Sequence, residues 1–155
     1  MEGDLMGTLS VRHLGGDRYD THVRGHWIVL DQPASGDAGP TPVEAFVASL
    51  AACAAFYAGR FLARHGVAGH RVDCRYEQDT GGAVTLVSLS LRTAPLPDAL
   101  NAGALRAMEH CTVLRSIRGP LEVTIALEAT EHVGASLTAA HAEGTNGHTE
   151  RAHRP

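Results

Sequence analysis

"GPTPVEAFVASLAACAAFYAGRFLARHGV", residues 39–67, reads as one long helix that is apolar almost all the way round. Thr41 is placed to N-cap it, Pro42 takes its first position, and Glu44 stands three residues after the cap. That is the capping-box pattern. His65-Gly66 supplies the stop. A helix apolar on every side needs cover on every side. Near its middle sits Cys53, a thiol in the most hydrophobic stretch of the chain.

Working outward, "GTLSVRHL" (7–14) and "DRYDTHVRGHWIVLD" (17–31) read as strands. "LGGD" turns between them, and "RGH" at 24–26 folds the second stretch into another hairpin. "QPASGDAGPTP" (32–42) is a loop. "HRVDCRYEQD" (70–79) and "AVTLVSLSLRTA" (83–94) alternate as strands joined by a Thr-Gly-Gly turn. "LPDALNAGALRAMEHC" (96–111) predicts a second helix with Asp98 as N-cap, and "PLEVTIALEAT" (120–130) a closing strand. Residues 132–155 hold little to bury and predict a disordered tail after a single domain over 1–131. The order is that of an α+β fold rather than alternating β and α. A chain of 155 residues has one modest helix and one sheet with which to cover residues 42–64. An obligate homodimer with the two Cys53 helices at its centre resolves the shortage.

The net charge of −4 gives no reason to expect nucleic acid. All thirteen basic residues are Arg, so no Schiff-base lysine is available. The N-terminus lacks the pattern of a signal peptide, and the run Ala45 to Ala58 is too short to span a bilayer. A cytoplasmic, membrane-free protein is expected. The three cysteines, Cys53, Cys74 and Cys111, form no disulfide scaffold. In a reducing compartment, thiols serve catalysis or metals more often than structure. The histidines show no ligand spacing, and no metal or other cofactor is expected.

Cys53 alone reads as a small core filler. Cys111 changes that, because it ends the second helix with His110, Arg115 and Arg118 nearby, and cations stabilise a thiolate. Two thiols on the two helices read as a pair. Cys74 shares a strand face with Val72 and Tyr76 and reads as filler. Glu44 lies nine residues before Cys53, roughly 13 Å along the axis, so only a bridging group could join them. Arg18 and Arg24, from the N-terminal hairpins, are the candidates.

The segments "GPTPVEAFVASLAAC" and "AMEHCTVLRSI", with the lead-in "GHWIVLDQPASGDAGPTP", resemble the OsmC/Ohr family (osmotically inducible protein C and organic hydroperoxide resistance protein) over roughly residues 8–130. The resemblance implies an intertwined homodimer, two central helices wrapped by antiparallel sheets. It also implies a thiol peroxidase that reduces organic hydroperoxides, and hydrogen peroxide less well, with a dithiol or lipoyl reductant. Cys53 would be the peroxidatic thiolate, Cys111 the resolving thiol, and Glu44 part of an Arg–Glu–Cys network using Arg18 or Arg24. A redox-sensing or small-ligand-binding dimer is the alternative. Thr112 stands where the organic-peroxide branch has Pro, and Asp17 is inserted before Arg18. Both departures point to the OsmC-like branch.

Overall fold

Tight turns organise the N-terminal sheet. In the computed structural model, which describes residues 7–127, β1 (Ser10–Gly15), β2 (Arg18–Val23) and β3 (His26–Leu30) form an antiparallel sheet in the order β1-β2-β3. Arg24 and Gly25 have φ of 50° and 82°. Two positive φ values are what a two-residue hairpin needs to match the strand twist, and Val23 pairs with His26 across it. The register sets Val11, Thr21 and Ile28 in one row and His13, Tyr19 and Leu30 in another on the same face. That face is largely apolar, yet Val11, Tyr19 and Ile28 are exposed in a single chain. The opposite face is polar: Arg12 pairs with the buried Asp20 at 2.6 Å, and His22 stacks on Trp27.

The loop 31–40 follows, with a short 3-10 turn at Pro33–Ser35. It leads into α1 (Pro42–Arg64), which starts with the expected capping box. Thr41 Oγ1 accepts from the Glu44 amide at 3.2 Å, and Glu44 Oε2 accepts from the Thr41 amide at 2.8 Å. Val47, Leu50, Ala54, Ala58 and Leu62 recur every three or four residues and make its buried stripe. The far side leaves Phe56 exposed, and Phe46 is exposed at the edge of the stripe. By length and composition alone, with a mean hydropathy of 1.6, α1 could cross a membrane. The apolar run Ala45 to Ala58 is shorter than the helix that contains it. Its buried stripe is closed by protein.

That cover comes from β4 (His70–Gln78) and β5 (Val84–Thr93), an antiparallel pair, and from α2 (Asp98–Glu109). Val72, Val87, Leu89 and Leu91 on the inner face of the pair pack against the core of α1. Two glycines set the close approaches. A Cβ on Gly103 of α2 would lie 2.3 Å from Phe61, and one on Gly59 would lie 2.6 Å from His70. The His70 ring uses that space to meet the Ala55 carbonyl at 2.9 Å.

Three expectations need correction. The N-cap of α2 is Pro97, with no side-chain cap, and Asp98 is instead the first helical residue. There its charge suits the helix dipole, a role that needs no capping geometry. The second helix also stops at Glu109, and after Cys111 a third, α3 (Thr112–Arg118), begins. Cys111 is extended, at φ −52° and ψ 126°, and serves as the N-cap of α3. Finally, residues 120–127 carry no strand, although Leu121, Val123, Ile125 and Leu127 alternate as one would. A strand exists only with a hydrogen-bonded partner, and no partner pairs with this segment among the described residues. The chain divides into two units, Met1–Leu121 and Glu122–Pro155. The expected boundary at 131 and the expected tail, 132–155, lie outside the described residues.

Candidate functional site

Cys53 lies in the middle of α1, beside the buried stripe, with Leu50 one turn before it and Tyr57 one turn after. Helical spacing puts these side chains on one side of α1. Cys111 arrives from the opposite direction, at the junction of α2 and α3, and is fully buried in the same cluster with Leu50, Ala54, Ala58 and Met108. Fold topology thus joins two thiols about half of the domain apart in sequence on one core cluster, and each acts on the ionisation of the other.

The two sulfurs have unlike surroundings. Burial pushes the Cys53 thiol up, but three donors outweigh it: the Cys111 side chain and the backbone N–H groups of Val113 and Thr112. The result is a Cys53 pKa below the ordinary thiol value. These N–H groups belong to the first turn of α3, where they have no partner inside the helix. For Cys111, burial and the hydrogen bond to Cys53 both act to raise the pKa above the ordinary value. Its sulfur also accepts from the Leu114 amide at 3.5 Å, as the cap of α3. The two thiols are therefore pushed in opposite directions, Cys53 toward the thiolate and Cys111 toward the thiol. Cys74, on β4, has its thiol pushed up by burial alone, as suits a packing residue.

The other candidates lie elsewhere. Arg18 Nε donates to Asp31 Oδ2 at 3.3 Å, and Asp31 is fully buried. The Ala38 amide, more than any other group, holds the Asp31 carboxyl below its ordinary value; burial opposes this, and the Gln32 amide and Arg18 reinforce it. Asp31 thereby fastens the loop 31–40, whose far end returns through Asp31 N–H to the Pro40 carbonyl at 3.2 Å. Arg24 occupies the β2–β3 turn, and Glu44 is engaged in the capping box. Among the described residues of one chain, no guanidinium and no carboxylate is among the groups that act on Cys53. Nor do any three His, Cys, Asp or Glu side chains among them converge as a metal site.

Two participants, Tyr57 and Asp31, were not singled out from sequence. Tyr57 shares a 2.7 Å hydrogen bond between hydroxyls with Thr112, beside the thiols. The spacing of Tyr57, four residues after Cys53, was the available signal. Asp31 left no signal beyond an acidic residue opening a Gly- and Pro-rich loop. An open apolar groove of about 490 Å³ runs between α1, β5, α2 and α3. Leu50, Met108 and Leu114 line it and also belong to the cluster around the thiols, while neither thiol lines the groove itself.

Comparison with known proteins agrees with this architecture. A family model described as OsmC-like protein matches residues 34–126. A search of curated proteins finds no match. Among solved structures, an osmotic stress induced and detoxification response protein from Psychrobacter arcticus is 19% identical. It covers 78% of this chain and 94% of its own, with a TM-score of 0.66. An OsmC-like protein from Mycoplasma pneumoniae is 16% identical over 76% and 90% of the two chains, with a TM-score of 0.64. The organic hydroperoxide resistance protein OhrB of Bacillus subtilis is 19% identical over 74% and 92%, with a TM-score of 0.53. At these identities the likeness is one of fold.

Proposed function

Since this chain belongs to the OsmC-like family, we propose that it is a thiol peroxidase acting on organic hydroperoxides through Cys53 and Cys111. The observation that carries this reading is the thiol pair on one core cluster, with Cys53 lowered below the ordinary thiol pKa and buried Cys111 raised above it. A thiolate is the nucleophile, and a second thiol in contact is what resolves its oxidised product. The relative named for organic hydroperoxide resistance supplies the substrate class.

In the proposed cycle the Cys53 thiolate attacks one peroxide oxygen. An S–O bond forms as the O–O bond breaks, and the departing alkoxide takes a proton to leave as an alcohol. Cys53 is then a sulfenic acid. The Cys111 sulfur attacks it, giving up its proton, and hydroxide leaves as water while the disulfide forms. A dithiol of the lipoyl kind returns two electrons by exchange and regenerates both thiols, which suits a reducing cytoplasm. Apolar neighbours favour a substrate with an organic group.

The same reading includes a homodimer. One chain leaves two apolar faces open: the sheet face with Val11, Tyr19 and Ile28, and the side of α1 with Phe56. A second copy would cover both. Arg24 or Glu44 of either chain would have to reach a sulfur from a position that a single chain does not give it.

Steady-state consumption of cumene hydroperoxide with dithiothreitol or dihydrolipoamide tests the proposal. The wild type turns over, Cys53→Ser does not, and Cys111→Ser leaves a sulfenic acid at residue 53 that dimedone traps. Equal slow consumption by wild type and Cys53→Ser would end the enzyme reading. One observation favours a second reading, a redox sensor oxidised once per event. Arg18, one of the two arginines expected in the Arg–Glu–Cys network, is instead paired with the buried Asp31. Disulfide formation in proportion to peroxide, without sustained turnover, would support the sensor.

A further inference from the structure

Cys53 and Thr112 are linked twice. The direct link is proximity: Cys53 packs on the same cluster as Val113 and Leu114 of the first turn of α3, and the Thr112 amide is among the groups that lower the Cys53 pKa. The indirect one passes through Tyr57, one helical turn beyond Cys53 on α1, whose hydroxyl lies 2.7 Å from Thr112 Oγ1. Together they close a ring: Cys53, one turn of α1, Tyr57, the Thr112 side chain, the Thr112 amide, and back to the sulfur. α3 has only seven residues and none of them is buried. A helix that short is marginal unaided, so the aim of its first amides depends on what fastens its first residue.

We infer that Tyr57 is a positioning residue for Cys53, holding the first turn of α3 over the sulfur through its hydrogen bond to Thr112. Tyr57 packs against the same core cluster as Cys53, so its ring is fixed and its hydroxyl is aimed. The side chain that follows Cys111 is then not a neutral departure from the organic-peroxide branch. Thr112 carries both the hydroxyl that meets Tyr57 and an amide that helps lower the Cys53 pKa, whereas proline at that position would have neither. The titratable group facing Cys53 across the site is Cys111, and Tyr57 lies on its own helix. β4 and β5 present Val72, Val87, Leu89 and Leu91 to the cluster, and none of them titrates. Cys74 and Tyr76 share the Val72 face of β4 but lie outside that cluster.

The inference deepens the proposed thiol chemistry, resting on Cys53 as the reactive thiol, yet its test uses neither peroxide nor reductant. Alkylation of Cys53 by iodoacetamide is followed against pH by peptide mass spectrometry. Tyr57→Phe keeps the ring and removes one oxygen. It is expected to move the alkylation midpoint to higher pH and to slow the rate at pH 7 by about three- to ten-fold. Thr112→Val should do the same, Thr112→Ser should restore the wild-type profile, and Tyr57→Phe with Thr112→Val should match either single change. Far-UV circular dichroism checks the fold, and if Tyr57→Phe does not fold, the Thr112 variants decide. A wild-type profile in Tyr57→Phe, or in Thr112→Val in that event, overturns the inference. So do effects that multiply in the double variant, or a failure of Thr112→Ser to restore. Loss of peroxidase turnover with these shifts intact would remove the enzyme reading and leave the positioning role standing.

Discussion

Asp31 and Cys53 both sit where burial works against ionisation, and for both hydrogen-bond donors outweigh it and lower the pKa. For Asp31 the Ala38 amide leads, with the Gln32 amide and Arg18 behind it. For Cys53 the donors are the Cys111 side chain and the first amides of α3. The sign of the consequence for Asp31 follows from linkage. Its folded pKa is below the unfolded one, so its contribution to stability is complete above the unfolded value, about 3.9. It is lost as pH falls from there through the folded value. Asp31→Asn should therefore lower the melting temperature at pH 7 and lose that deficit as the pH falls through the folded pKa. Thermal denaturation followed by circular dichroism across pH 2–7 reads the difference. A deficit that stays constant with pH would show that the carboxylate charge does not fasten the loop.

At the scale of elements, the contact between α1 and α2 depends on glycine. Gly103 is buried, and a Cβ there would come within 2.3 Å of Phe61 Cζ, with two more ring atoms close behind. Alanine normally favours a helix over glycine, so the sign of the substitution discriminates. Gly103→Ala is expected to destabilise by about 1–2 kcal/mol through overpacking, measured by urea denaturation. Phe61→Leu in the same chain should recover part of the loss. If Gly103→Ala stabilised the protein, the helix contact would be looser than its geometry indicates.

The whole molecule has more apolar surface than one chain covers. Phe56, on the outer side of α1, is 58% exposed and stacks its ring under Arg60. Ile28 and Val11 are similarly open on the first sheet. Sedimentation equilibrium should give twice the chain mass for the wild type. Phe56→Arg, which puts a second guanidinium beside Arg60 and into an apolar contact, should shift it to a single chain at micromolar concentration. A monomeric wild type would remove the dimer from the proposal.

Much of this was legible from local chemistry. The capping box at Thr41 and Glu44, the hairpin at Arg24-Gly25 and the inward row of Val72 on β4 are all short-range patterns, so sequence by itself determined them. The existence of a helix with Cys53 at its centre was determined in the same way. Where the thiols stand relative to each other was not, because Cys111 meets Cys53 only after β4, β5 and α2 have been laid against α1. The break that turns Cys111 from the end of one helix into the cap of another was also hidden. A thiol is no common cap, and its packing in the core, with a hydrogen bond to Leu114, decides the geometry there. Tertiary structure likewise decided the partner of Arg18, since Asp31 is thirteen residues away and is buried only once the loop closes over it. Periodicity and turn chemistry act over a few residues, whereas the pairing of buried polar groups depends on which segments the fold brings together.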